Sequence, residues 1–383
     1  MKYWRGYLTA AIIAAITFGL HQIAQRYTKL VDMIYPYLTR TLQNFLAEWS
    51  GTLDINLWQL LLVLALVVLL VTVVLMILLK WNVFQWLGWV LTACSLVWLL
   101  HSGVYGLNAY AGPLADDLRL EISEFSVEDL EEATIYFRDK ANELALELPR
   151  DEESNLVFSE FDTLAQQAGE GFETLVKDRY YSVFAGTTQP VKQLDWADLY
   201  SSLGVTAVFV PITGEAAVNP QIPGVVLPFT MCREMARRMG VAAEDDASFA
   251  AILACIANES PEFQYSAYFM AYRYCVEALE LSGTEAGAAA AARIKTGVNT
   301  FFYYDLRSYE KFFTGKRDAD KADFVDSLTY RAGSYSDGQE ATLLTNWYIQ
   351  EFVLPFMDQE EITGFDPMDE DQVDISDLTG KNG

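Results

Sequence analysis

Leu227-Pro228-Phe229-Thr230-Met231-Cys232-Arg233-Glu234-Met235-Ala236-Arg237 reads as a helix from its first turn onward. Pro228 suits that first turn, where a backbone N–H has no intrahelical acceptor to lose. Gly240 supplies a C-terminal stop. Arg233 and Arg237 stand at i and i+4, so they leave the helix from one face, with Glu234 beside them. A guanidinium carries five N–H donors and no lone pair, and it stays protonated at physiological pH. Two of them one turn apart can pair with acids such as Glu234, Asp246 or Glu215, and neither can ligate a metal.

The flanking sequence changes character on both sides. Residues 204–210 are β-branched and apolar and predict a strand, with 213–219 as its neighbour. Asn219-Pro220 and Pro223-Gly224 read as turns. Downstream, Glu244, Asp245 and Asp246 open a second helix, where acids suit the dipole, and it runs to about Asn258. A third helix follows Pro261, with Tyr265, Tyr268 and Tyr272 as a core stripe. Further upstream, Ser126-Val127-Glu128-Asp129 has the form of a capping box for a helix ending near Leu148. Another amphipathic helix is expected over 160–180, and Thr187-Thr188-Gln189-Pro190 breaks the chain.

The first third is different in kind. Three apolar stretches, 7–24, 60–79 and 83–100, have the length of bilayer crossings. Residues 1–112 hold six of the 26 Lys/Arg and three of the 52 Asp/Glu, a balance of +3 that leaves −29 for the remainder. Such a domain repels nucleic acid, so none is expected as a partner. Positive charge is tied across the two sides of a three-span anchor. The Asp116-Asp117 pair after the third span tips the expectation towards an extracytoplasmic domain. Cys232, Cys255 and Cys275 are an odd number and predict buried free thiols rather than a disulfide framework. Both histidines, His21 and His101, precede the domain.

Arg233-Glu234-Met235-Ala236-Arg237 has the spacing of H-E-x-x-H, in which two histidines hold zinc and the glutamate acts as general base. Together with Thr213-Gly214-Glu215-Ala216-Ala217-Val218-Asn219-Pro220 and Glu244-Asp245-Asp246-Ala247-Ser248-Phe249, the chain resembles an uncharacterised family of bacterial membrane proteins in the zincin group of metallopeptidases. The resemblance implies three transmembrane helices over 1–111 and a mainly α, α+β zincin-like domain with a small sheet over 112–357. An acidic, disordered tail over 358–383 is expected from its composition. The family's ligand positions fall on Arg233, Arg237 and Asp246, and its general base falls on Glu234. Zinc is implied by the family and unsupported by these side chains, so no cofactor is expected. The expectation is a pseudopeptidase of the bacterial cytoplasmic membrane that binds an extended peptide or protein. Gly214, Glu215 and Asn219 would then form the edge of its cleft. The alternatives are a hydrolase whose metal is held by Glu234, Asp246 and Glu215, or a structural envelope protein.

Overall fold

The computed structural model describes residues 4–316 and 339–355. The acidic tail expected from residue 358 lies outside the described residues. Three helices are long and apolar enough to cross a membrane: α1 (Arg5–Arg26), α3 (Leu57–Leu78) and α4 (Val83–Val104). Between the first two lies α2 (Thr28–Gly51), a 24-residue helix that the sequence reading did not anticipate.

Helices α1 and α4 pack along each other in parallel. Thr92 Oγ1 donates to the Gly6 carbonyl at 2.8 Å near their start, and His21 Nε2 lies 2.8 Å from Ser102 Oγ near their end. Polar groups in such spans turn inward and pair, because hydrocarbon offers them nothing.

The domain begins with α5 (Leu114–Leu118) and α6 (Val127–Glu147). The capping box forms as expected, with Ser126 and Asp129 bonding each other's backbone N–H. The stretch expected as one helix over 160–180 is two, α7 (Phe161–Gln167) and α8 (Glu170–Arg179), parted at Ala168-Gly169. Next come β1 (Lys192–Gln193), α9 (Ala197–Ser202), β2 (Ala207–Val210) and β3 (Glu215–Val218). The sheet order is β1-β3-β2, with β1 parallel and β2 antiparallel to β3.

Five helices follow: α10 (Leu227–Arg238), α11 (Glu244–Ala257), α12 (Pro261–Leu281), α13 (Glu285–Thr296) and α14 (Thr300–Lys316). After the undescribed segment, α15 (Glu340–Tyr348) packs on α6, α11 and α12. The core lies among α6, α8, α10, α11 and α12, where Phe137, Phe172, Phe229, Phe249 and Phe269 are wholly buried. Tyr265, Tyr268 and Tyr272 belong to this core. Burying an aromatic side chain of that size contributes on the order of 2–3 kcal/mol. Cys232, Cys255 and Cys275 are buried free thiols.

Candidate functional site

Helix α10 starts with Pro228 in its first turn and packs against β2 and β3. Gly240, at φ +107°, turns the chain out of α10, and the Val241 N–H closes the end on the Ala236 carbonyl at 3.2 Å. A positive φ is cheap for glycine and strained for any other residue. This turn delivers Glu244, the first residue of α11, to the face of α10 that carries the arginines.

Arg233 and Arg237 meet there on one carboxylate. Arg233 Nη1 lies 3.3 Å from Glu244 Oε1, and Arg237 Nη2 pairs with Glu244 Oε2. Arg233 also reaches Glu234 Oε1 at 3.3 Å and Thr206 Oγ1 at 3.3 Å, next to β2. Side chains one turn apart, the geometry with which two histidines grip a metal, here grip a carboxylate. Glu234 is 2% exposed, and its Oε2 has no hydrogen-bond partner. Arg237 Nε is likewise buried without a partner.

The anchor forms part of the site's wall. Tyr105, just beyond α4, donates to the Val241 carbonyl at 3.2 Å and sets its ring 5.1 Å from that of Phe209 in β2. Burial pushes its phenol well above the ordinary tyrosine range, while nearby Arg237 pulls it down and Glu234 pushes it up. The motif therefore sits where the spans meet the domain. Next to it, Arg238 is wholly buried on the Thr187 and Gln189 carbonyls, with no carboxylate. Burial pulls its guanidinium down, although it stays charged at neutral pH.

Three expectations need correction. First, the acid opposite the arginines is Glu244 rather than Asp246. Asp246 accepts from the Leu114 N–H at 3.1 Å and lines a cavity of about 390 Å³ with Asp32, Arg40, Asp117 and Asp245. One step along a helix turns a side chain by about 100°, so Glu244 and Asp246 face apart.

Second, the stretch 214–219 is no sheet edge. Strand β3 pairs with β2 along its length and with β1 at Ala217 and Val218, which leaves β2 and β1 as the outer strands. Gly214, at φ +69°, lies in the β2–β3 turn, where an added Cβ would collide with the backbone of Ala47 in α2. Asn219 is buried, donating to Ser201 Oγ at 2.9 Å and accepting from the Gln221 N–H at 3.0 Å.

Third, Glu215 belongs to the anchor joint. Its carboxylate accepts from the N–H groups of Leu57 and Trp58 at 2.9 and 2.8 Å and from Lys192 Nζ at 2.7 Å. It thus caps α3, whose own N-cap residue, Asn56, makes no capping bond. Glu234, Asp246 and Glu215, the expected carboxylate ligands, serve three separate places. Among the described residues, no three His, Cys, Asp or Glu side chains converge as metal ligands.

Sequence reading missed Glu244, Thr206 and Tyr105 as parts of this site. Only Glu244 left a signal, as the first acid after the Gly240 turn. No curated protein and no solved structure matches the chain. The family described as "Protein of unknown function (DUF3810)" matches residues 31–326, which take in most of α2, the sheet and the whole motif. With more than three quarters of its length matched, the chain belongs to the DUF3810 family.

Proposed function

We propose that this protein is a membrane-anchored pseudopeptidase: a zincin-like domain that holds an extended peptide or protein segment without cutting it. The observation that carries the reading is the pairing of Arg233 and Arg237 with Glu244. Both positions that would hold zinc through neutral imidazoles carry protonated donors instead, and a carboxylate fills the space between them. The donor set does not fit zinc. Glu234, buried and half-paired, occupies the position of the general base in that motif.

Peptide binding moves from the expected stretch to β2. That strand is an edge, runs antiparallel to its neighbour, and packs on the motif helix. An edge strand beside such a helix is suited to receive an extended chain by strand addition. Thr206 bonds to β3 through its carbonyl, so by alternation the Ala207 N–H faces outward. The three apolar helices support a multi-pass protein of the bacterial cytoplasmic membrane. The acid-rich domain supports an extracytoplasmic placement.

The test uses the full chain in detergent. After dialysis against zinc, the wild type retains no stoichiometric metal. Arg233→His combined with Arg237→His takes up about one equivalent, because the helix already presents both positions to an acid. One equivalent in the wild type, or none in a folded double-histidine variant, would sink the zincin-like reading. Binding is read separately with displayed peptides. Ala207→Pro removes an outward N–H and should abolish recovered binding while leaving thermal unfolding in place. Equal recovery by wild type and variant would count against strand addition.

A further inference from the structure

Helix α2 reverses the usual pattern of a surface helix. Its buried face is small and polar: Thr39, Gln43, Ala47 and Ser50. Gln43 donates to the Pro211 carbonyl at 3.0 Å, and Arg40 donates to the carbonyls of Met239 and Ser182. The opposite face is apolar and open. At 3.6 residues per turn, Leu30, Met33, Ile34, Tyr37, Leu38, Phe45 and Trp49 fall within one half of the helix. All are exposed, Tyr37 at 69% and Phe45 at 66%. Thr41, Asn44 and Glu48 are the polar residues in that half: Asn44 accepts from the Thr187 N–H of the domain at 2.7 Å, and Glu48 lies one turn from the helix end. A contiguous apolar face of this size is unusual in water and calls for a partner.

The connections fix where this face lies. Helices α1 and α4 run in parallel, and Tyr105 at the end of α4 packs on the domain. The end of α1 is therefore on the domain side as well. The start of α3 is also there, capped by Glu215. Helix α2 links these two ends, with Tyr27 alone between it and α1 and residues 52–56 before α3. It leaves and re-enters the bilayer on one side, so it does not cross.

Only residues 79–82 separate α3 from α4, yet the two do not pack along each other. A groove of about 780 Å³ opens between them, lined by Val68, Thr72, Trp86 and Trp89. A flat α2, about 36 Å long at 1.5 Å per residue, would hold their domain-side ends apart.

We infer that α2 lies in the plane of the membrane, with its apolar face sunk into the headgroup and acyl boundary of the domain-side leaflet. The partner is the lipid surface itself. Aromatic Tyr37, Phe45 and Trp49 suit that depth. Glu48 would sit at headgroup level. The opposite face carries the domain, which brings α10 and its arginines down to the bilayer surface. This inference does not depend on the pseudopeptidase reading.

The experiment places a single fluorophore on the full chain in liposomes. The background is Cys94→Ala, since Cys94 is exposed and the other three thiols are buried. Met33, Tyr37, Phe45 and Trp49 are each replaced by cysteine and labelled. Leu281→Cys, at the exposed end of α12, is the aqueous control, and Leu66→Cys, midway along α3, is the deep control. Emission is quenched with lipids spin-labelled at shallow or deep positions and with aqueous iodide. All four α2 sites should lose most emission to the shallow lipid, at one common depth between the controls. Quenching like Leu281 would overturn the inference by placing the face in water. Depth that increases along the helix would overturn it by making α2 a span. Protection from every quencher would overturn it by pointing to cover from a second copy of the chain.

Discussion

Two arginine–carboxylate clusters in this molecule differ in how completely they are satisfied. In the domain body, Arg150 bonds both oxygens of Asp305, at 3.1 and 2.7 Å, and the carbonyls of Ala145 and Ser154. Tyr265 donates to the same Asp305 at 2.5 Å, and the guanidinium lies 4.5 Å over the Phe301 ring. Nothing is left over, and both side chains are under a tenth exposed. At the motif, Arg233 and Arg237 share Glu244, while Glu234 Oε2 and Arg237 Nε stay buried without partners. Buried polar atoms are paired in the large majority of cases. The body cluster is a tie between α12, α14 and the loop after α6. The motif cluster ties α10 to α11 and leaves two buried polar atoms without partners.

That contrast predicts unequal costs. Asp305→Ala strips a buried guanidinium and a buried phenol of their acceptor, and should lose about 3–5 kcal/mol of stability. Arg237→Ala removes one partner from a cluster that remains about a fifth exposed, and should cost only about 1 kcal/mol. Thermal unfolding of both variants in one detergent checks the pair. Equal losses would make the motif a structural tie like the other and erase the distinction.

A second contrast lies within the expected carboxylates. Glu234 is half-paired, whereas Glu215 is fully engaged by two backbone N–H groups and Lys192. Glu215→Ala should therefore cost more than Glu234→Ala. The expected loss is about 2–4 kcal/mol, from an uncapped helix start and a stranded lysine. Hydrogen exchange locates the loss. Protection at Leu57 and Trp58 should fall in Glu215→Ala and stay unchanged in Glu234→Ala. If both variants left the start of α3 equally protected, Glu215 would not be the joint between anchor and domain.

The elements legible in the sequence were those with a local signal. Leu57–Leu78 reads as a span from hydropathy alone. The Ser126 box, Pro228 at a helix start and Gly240 at its end act within a few residues of themselves. What was illegible depends on distant partners. Helix α2 hides because its buried face is small and polar while its open face is apolar, the inverse of the pattern that marks a globular surface helix. Strand β3 reads as a strand, but its central place depends on β1, two residues long and without any periodicity to detect. Glu244 and Asp246 are indistinguishable as helix-opening acids. Only the direction in which Gly240 releases the chain decides which of them meets Arg233 and Arg237.

Asp246 gives the smallest expected effect and the finest test of that division. Burial raises its pKa first, and Asp245 and Asp117 raise it further, against the bond from Leu114. A carboxylate with a raised pKa in the folded state binds its proton more tightly there than in the unfolded chain. Stability then falls as pH climbs from the ordinary carboxylate range through the folded value, so at neutral pH the charge is a net penalty. Asp246→Asn keeps an acceptor for the Leu114 N–H and removes the charge. Its midpoint of thermal unfolding should rise above wild type at neutral pH and converge with it as pH drops below about 4. Had Asp246 faced the arginines in place of Glu244, neutralising it would unpair two guanidiniums and lower the midpoint. The sign of the change at neutral pH therefore decides which acid faces the motif, independently of any metal.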